Sequence, residues 1–313
     1  MGHKKETGMR AAVCYLTWNR LIYTKKSLQS IIDNTRKNDY DLILWDNGST
    51  DKGMIDYLRE TCKKNKFYYI LSSENYGLTT AMNNQMKIMN HLKKYDVFCH
   101  IANDVVVPKN WLDGIFEAIK QKDKVGLVGL NFETKKFEME NINGVELEKI
   151  EGGYACVGGM HFCIPKHTYD LIGGFKNVTN MYGQQDASYS SKVKFLPNNW
   201  WAYYLDRGKY KGEHLGLNNA VPLTKENQDK ELYKEYHNMM RPRLLSSGND
   251  PEGGRYYRQH IVWRRDKFLR GEIKFEDVVK FYRVSEEQFK KIDKNKIKET
   301  NLEEKQYENI LLP

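Results

Sequence analysis

Long apolar runs are missing from this sequence. No window approaches the ~18 consecutive apolar residues of a bilayer-spanning helix, and the opening MGHKKETGMR has no apolar stretch of the signal-peptide kind. These absences argue against a helical membrane span and lead to the expectation of a cytoplasmic product. Cysteine is also sparse: Cys14, Cys62, Cys99, Cys156 and Cys163 form an odd, widely spaced set, and three of them lie in apolar, strand-like runs where a thiol packs as a small hydrophobe. A disulfide framework is therefore not expected. Cys156, His161 and Cys163 do not have the spacing of a zinc finger, and alternation along a strand would point Cys156 away from the other two, so core packing accounts for them better. Two glycine motifs are lacking as well. Thr17-Trp18-Asn19-Arg20 stands where a dehydrogenase would carry Gly-x-Gly-x-x-Gly, and no Gly-x-x-x-x-Gly-Lys-Ser/Thr loop occurs, which removes a nicotinamide oxidoreductase and a P-loop ATPase.

What is present is a folding-competent chain of 313 residues, 40% hydrophobic, 12% aromatic and 29% charged. Its length suffices for one large core with a small appended unit. The formal charge of +9 suits an anionic partner without choosing among a nucleotide, a nucleic acid and a membrane surface, and a solvated basic face explains it equally. Between Arg241 and Arg270 there are eight Lys/Arg against three Asp/Glu, a local basic excess.

The first hundred residues alternate β-rich runs with helix-period segments, the pattern of βα units on a mostly parallel sheet. Strands are expected at Ala11–Trp18, Asp41–Asp46, Phe67–Leu71, Tyr95–Ile101 and Val125–Leu130. Helices are expected over Thr24–Thr35, around Met54–Leu58, over Leu78–Leu92 with Met82, Met86 and Met89 inward, and after Pro108 with Trp111, Leu112, Ile115, Phe116 and Ile119 as its apolar stripe. After Asn131 a charged stretch runs to Glu151. A glycine-rich strand Gly152–Ile164, a short helix Pro165–Ile172 and a loop to Gln185 follow, so the sheet is expected to become mixed. Ala187–Val193 is short for an independent helix, and Trp200–Leu205 returns to the core. The region beyond Ala220 reads as mainly helical. This gives a catalytic unit over 1–220 and a basic helical extension over 221–313.

In open α/β sheets ligands collect at the carboxyl ends of the strands, and several of these strands end in polar residues suited to one nucleotide. Asp46 is placed to accept a hydrogen bond from a base or ribose, although Asp46-Asn47-Gly48 is equally a turn sequence. Arg20, after Asn19, is placed to pair with phosphate or to remain solvated. Asn75 and Gly77 close the third strand. Asn103 and Asp104 close the fourth, at the depth where a diphosphate would lie and where a divalent cation would bridge carboxylate and phosphate oxygens. His214, between Gly212 and Gly216, offers a second ligand or is a surface histidine. Asp186, just before a short helical run, suits a general base or a helix cap.

Asn19-Arg20, Asp46–Ser49, Glu74–Gly77 and Ala102–Asp104, in this order and followed by Val107–Leu112, resemble the donor-site segments of family 2 inverting glycosyltransferases with the A-type nucleotide-diphospho-sugar transferase fold. Gly158-Gly159, Gly173-Gly174-Phe175 and Gln185-Asp186 resemble the later segments, and the likeness covers approximately Ala11–Gly216. It implies a single Rossmann-like mixed sheet and a nucleotide diphospho-sugar donor held by Asn19, Arg20, Asp46, Asn75, Gly77, Asn103 and Asp104. It further implies a manganese or magnesium ion on Asp104 and His214, and Asp186 as the base that deprotonates an acceptor hydroxyl. Three positions depart from the family pattern: Ala102 stands where an Asp often begins the metal motif, Gln185 replaces a glutamate, and Ser188 replaces a second acidic residue.

The acceptor implied is a hydroxyl compound, a saccharide or a modified nucleic acid. Alternatives are a degenerate sugar-nucleotide binder and, for the tail alone, a nucleic-acid-binding unit: Lys274–Lys291 carries Phe275, Val278, Val279 and Tyr282 at helical spacing, then a Ser285–Gln288 capping box. A platform for the acceptor, with Tyr256, Tyr257 and Trp263 for stacking, is the other reading of the tail.

Overall fold

The computed structural model describes residues 8–132, 137–151, 156–175, 185–194, 200–215 and 265–276, together with Glu286 and Lys290. Three consecutive βα units open the chain: β1 (Ala11–Thr17), α1 (Leu21–Asn34), β2 (Tyr40–Asp46), α2 (Met54–Asn65), β3 (Tyr68–Leu71) and α3 (Leu78–Leu92), leading into β4 (Val97–Ala102). β1, β2 and β4 are near-continuous apolar runs because parallel strands are covered on both faces. Their side chains divide by alternation. Ala12, Cys14 and Leu16 face a core with Met82, Met86 and Met89 of α3, whereas Ala11, Val13 and Tyr15 face one with Leu28 and Ile31 of α1 and Leu58 and Cys62 of α2. The methionine series of α3 is thus core.

The remaining elements are β5 (Val105–Val106), α4 (Trp111–Ile119), β6 (Val125–Gly129), β7 (Glu138–Ile142), β8 (Val145–Lys149), β9 (His161–Pro165), α5 (Lys166–Ile172), α6 (Gln185–Lys194), β10 (Trp201–Leu205) and β11 (Glu213–His214). The main sheet runs β3-β2-β1-β4-β9-β6-β10-β8-β7. It is parallel from β3 to β4 and becomes mixed where β9 enters antiparallel between β4 and β6. A small second sheet pairs β11 with β5.

Two expectations for the second half need correction, while the short helical run around Ala187–Val193 draws its support from the core. Part of the charged stretch before Glu151 is the hairpin β7–β8, turning at Asn143 (φ 52°) and Gly144 (φ 87°). Positive φ at two successive turn residues is what Asn-Gly supplies in a two-residue hairpin, so the signal was present but masked by the glutamates around it. Of the strand expected over Gly152–Ile164, the described residues from 156 to 160 are not in a strand and β9 starts at His161; the N–H groups of Val157, Gly158 and Gly159 donate to side chains rather than to a neighbouring strand. Residues 185–194 do form a helix, held by burial of Tyr189 and Val193 in the core rather than by length.

Among the described residues no helix is long and apolar enough to cross a membrane. The cysteines all carry free thiols, and Cys163 is core beside the buried His161. The expected boundary near residue 220 lies outside the described residues, as do Tyr256, Tyr257, Trp263, and Val278, Val279, Tyr282, Ser285 and Gln288 of the expected helical pair. From the extension, Phe268, Ile273 and Phe275 pack against the core cluster that holds Met82, Met86 and Met89.

Candidate active site

The carboxyl ends of β1 to β4 form a floor of short polar side chains that bond to one another. Asn19 takes a left-handed backbone (φ 54°), as does Arg20 (φ 60°), a conformation uncommon away from glycine. The Asn19 side chain holds it there: Oδ1 accepts from the Thr50 N–H at 2.7 Å and the Asp51 N–H at 3.3 Å, while the Asn19 N–H donates to Ser49 Oγ at 2.7 Å. Asp46 is fully buried, and one of its oxygens accepts the Ser49 N–H at 2.9 Å while the other accepts the Ser49 hydroxyl. Burial raises the Asp46 pKa, and the bonds from Ser49 oppose that rise.

The turn after β2 is clamped to the segment after β3. Asn47 Nδ2 donates to Asn75 Oδ1 at 2.7 Å, Asn75 Oδ1 also accepts the Gly77 N–H at 2.8 Å, and Asn47 Oδ1 accepts the Tyr76 N–H at 3.0 Å. Gly48 permits this approach: its φ is 77°, and a Cβ there would lie 2.5 Å from the Glu74 carbonyl carbon. Gly77 (φ 84°) starts α3. Asn103 Nδ2 lies within hydrogen-bonding distance of the Asn19 carbonyl and Thr24 Oγ1, both at 2.9 Å, and of Thr17 Oγ1 at 3.2 Å, so its amide faces inward and ties the end of β4 to β1 and α1. With Ser27 Oγ donating to the Ala102 carbonyl at 3.3 Å, this fixes the turn that presents Asp104.

Asp104 and His214, far apart in sequence, meet because β11 pairs antiparallel with β5, setting His214 opposite Val105, and the Leu215 N–H donates to the Asp104 carbonyl at 2.8 Å. Asp104 Oδ2 is 3.5 Å from His214 Nε2 and accepts from Arg20 Nη1 at 2.9 Å. The carboxylate, imidazole and guanidinium side chains are 10%, 13% and 23% exposed, so each keeps a path to solvent. A carboxylate and an imidazole nitrogen are together an acceptable donor set for a divalent cation, with the nitrogen suiting manganese better than magnesium. Among the described residues no cluster of three or more His, Cys, Asp or Glu is arranged to hold a metal, so Asp104 and His214 fit a cation only with further ligands from beyond the described side chains.

Asp186 sits in the first turn of α6. Its Oδ1 accepts the Ala187 N–H at 2.8 Å and its Oδ2 accepts the Gly159 N–H at 2.9 Å. Burial pushes its pKa up, and the two backbone donors hold it back. The loop it touches leads directly to Asp104, since the Met160 carbonyl accepts the Ala102 N–H at 2.9 Å. Gln185 is buried, and Ser188 is half-buried on the same helix.

The structure therefore brings Arg20, Asp104 and His214 together, sets Asp46, Asn75, Gly77, Asn19 and Asn103 in the floor beside them, and places Asp186 across one loop. Sequence reasoning missed the parts played by Asn47 and Ser49 within a turn it had recognised, and by Tyr204, whose hydroxyl accepts the Gly158 N–H at 2.9 Å. Nothing local marks Tyr204, which reads as one more apolar strand residue.

A parallel sheet that turns mixed after β4, with a polar floor at its strand ends and an acidic residue following β4, defines an A-type nucleotide-sugar transferase fold. Residues 12–166, about half of the chain, match the model of glycosyl transferase family 2, and through this domain the chain belongs to that family of glycosyltransferases. Among solved structures, GalNAc-T7 with UDP, GalNAc and Mn2+ superposes with a TM-score of 0.52 at 13% identity over 66% of this chain. That alignment spans only 44% of the GalNAc-T7 chain. The mannosyltransferase PcManGT from Pyrobaculum calidifontis, in complex with GDP-Man and Mn2+, matches at 13% identity and a TM-score of 0.47 over 79% of each chain. S. aureus TarS matches at 13% identity and a TM-score of 0.49 over 80% of this chain and 42% of its own. At 13% identity the likeness to GalNAc-T7 speaks for the fold alone. No curated protein matches the sequence.

Proposed function

We propose that this glycosyltransferase carries out an inverting, metal-assisted transfer from a nucleotide diphospho-sugar to an acceptor hydroxyl, with Asp186 as general base. The observation that carries the reading is the setting of Asp186: a half-buried carboxylate whose pKa is shifted upward by desolvation, held by two backbone donors and joined through Gly159 and Met160 to the strand that leads to Asp104. A base needs its pKa brought towards the working pH, and desolvation does that for a carboxylate.

In the proposed reaction Asp186 takes the acceptor proton as the acceptor oxygen bonds to the anomeric carbon. The bond from that carbon to the diphosphate oxygen breaks on the opposite face, and the electron pair leaves with the diphosphate. Asp104 and His214 would hold a divalent cation, manganese in preference to magnesium, whose contribution when bound is to neutralise charge on the departing diphosphate. Arg20, already anchored on Asp104, adds a guanidinium for the same phosphates. With Ala102 in place of a carboxylate, His214 supplies the second protein donor.

Asp46, Asn75, Gly77, Asn19 and Asn103 are proposed to cradle the nucleotide. Because Asp46 and Asn19 are already bonded within the turn, they act chiefly by setting its shape. A saccharide acceptor is favoured, in keeping with the GalNAc present in the GalNAc-T7 structure of the same fold. A cytoplasmic site of action belongs to the same proposal, and the free thiols of Cys14, Cys62, Cys99, Cys156 and Cys163 support it. The test is single-turnover transfer by Asp186→Asn beside binding of the donor, over a panel of UDP- and GDP-sugars with manganese. Transfer should fall by ~10²–10⁴ with donor binding kept. Parent-like transfer would remove Asp186 as base, and donor binding without transfer by the parent on every acceptor offered would favour the degenerate binder.

A further inference from the structure

The loop that carries Gly158 and Gly159 makes no strand pairing, yet its first N–H groups are taken by side chains from two elements, α6 and β10. The Val157 N–H donates to Ser190 Oγ of α6 at 3.1 Å, the Gly158 N–H to the Tyr204 hydroxyl of β10 at 2.9 Å, and the Gly159 N–H to Asp186 Oδ2 at 2.9 Å. The Tyr204 hydroxyl in turn donates to the Cys156 carbonyl at 2.8 Å, so one phenol binds both ends of a three-residue span. β10 lies inside the main sheet, paired with β6 and β8, and the Tyr204 ring is 2% exposed with Phe137 at 5.6 Å. The hydroxyl therefore stands on a rigid strand and aims at a backbone that has no other regular support.

We infer that Tyr204 is a positioning residue for catalysis: its hydroxyl fixes the Cys156–Gly159 loop so that the Gly159 N–H meets the Asp186 carboxylate. The inference rests on the reading of Asp186 as base and adds the element that aims it. Gly159 fits the same purpose, since a Cβ at that position would lie 3.2 Å from Asp186 Oδ2. The groups acting on the Asp186 charge are burial and the backbone donors of residues 159, 186 and 187. Its own helix also carries Lys192 and Lys194, and the facing loop carries the Cys156 thiol. A donor to the ionised form favours that form, so slackening the Gly159 bond moves the Asp186 titration upward. A base must be unprotonated, so the acid limb of the transfer rate moves upward with it.

The variant is Tyr204→Phe, which removes one oxygen and keeps the ring. The first readout needs no substrate. In protein labelled with [13C]carboxyl aspartate, with the Asp186 resonance assigned by its loss in Asp186→Asn, the titration midpoint of Asp186 should rise in Tyr204→Phe. In the panel reaction, transfer near neutral pH should fall about tenfold, the cost of a misplaced catalytic group, with KM for the donor unchanged and part of the loss regained at higher pH. Adding Tyr204→Phe to Asp186→Asn should cost no further activity. An unchanged Asp186 midpoint in folded Tyr204→Phe overturns the inference, as does full additivity of the two losses. If Tyr204→Phe does not fold, Ser190→Ala releases the same loop from its other side and must raise the midpoint in the same direction. Loss of the base reading is told apart by Asp186→Asn alone: parent-like transfer there sinks that reading whatever Tyr204 does.

Discussion

The polar floor proposed for the donor and the rim proposed for catalysis are built in opposite ways. In the floor, Asn19, Asp46, Asn47, Asn75 and Asn103 come from strand ends that are neighbours in one sheet, and they bond to one another and to local backbone. On the rim, Asp104 and His214 are brought together by a two-residue strand pairing, and Asp186 is linked to their strand only through the irregular loop that meets α6. The floor is rigid because its polar groups are mutually satisfied. The rim keeps Asp104, His214 and Arg20 open to solvent, where a ligand can reach them. Shape comes from the first region and reactivity from the second, so damage to each should look different.

On the rim, Asp104→Ala is expected to give the largest loss after the base itself. It removes a proposed cation ligand and leaves Arg20 without its carboxylate, so transfer should drop by about 10²-fold in steady-state assays while the melting curve stays close to the parent's. In the floor, Gly48→Ala is expected to act through stability, because the added Cβ meets the Glu74 backbone at 2.5 Å and the φ of 77° is unfavourable for alanine. A cost of about 1–3 kcal/mol should appear in urea unfolding. A Gly48→Ala protein as stable as the parent would show that the floor yields more easily than its hydrogen bonds suggest. His214→Ala should raise the manganese concentration for half-maximal rate by about 10-fold without altering unfolding.

How much of this was legible in the sequence follows the same division. The floor and the first three βα units are local: Leu28 and Ile31, or Met82, Met86 and Met89, repeat at helical spacing, and Asp46-Asn47-Gly48 is a turn by composition. The rim depends on pairings between distant segments. His214 could be matched to Asp104 only through family resemblance, since a two-residue strand has no periodicity to read. The strand misjudged over Gly152–Ile164 shows the limit from the other side. Its composition allows a strand, but Tyr204, Ser190 and Asp186 capture the N–H groups that a strand would need. The hairpin at Asn143-Gly144 was overlooked for a different reason, because the glutamates around it hid a turn signal that was present.

The smallest expected effect concerns the sheet beneath both regions. His100 and His161 are buried near the junction of β4 and β9, and burial depresses both pKa values from 6.5 to about 3. A depressed histidine contributes stability that is fully present above its unfolded value and is lost as pH falls from about 6.5 towards 3. Melting temperatures over that range should decline, and His161→Gln should flatten the decline even if it lowers stability overall at neutral pH. A slope identical to the parent's would mean that His161 already binds a proton in the folded state.

The account stands most directly on the chemistry of Asp186. With Asp186 as the proposed base, its raised pKa would place the acid limb of transfer above the ordinary aspartate range, since the carboxylate would be lost as pH drops through its folded value. Single-turnover transfer by Asp186→Asn, followed across pH beside the parent, reads this in one experiment. The account predicts loss of ~10²–10⁴ in rate, disappearance of the acid limb and donor binding close to the parent's. Transfer at the parent rate with the acid limb intact would contradict it.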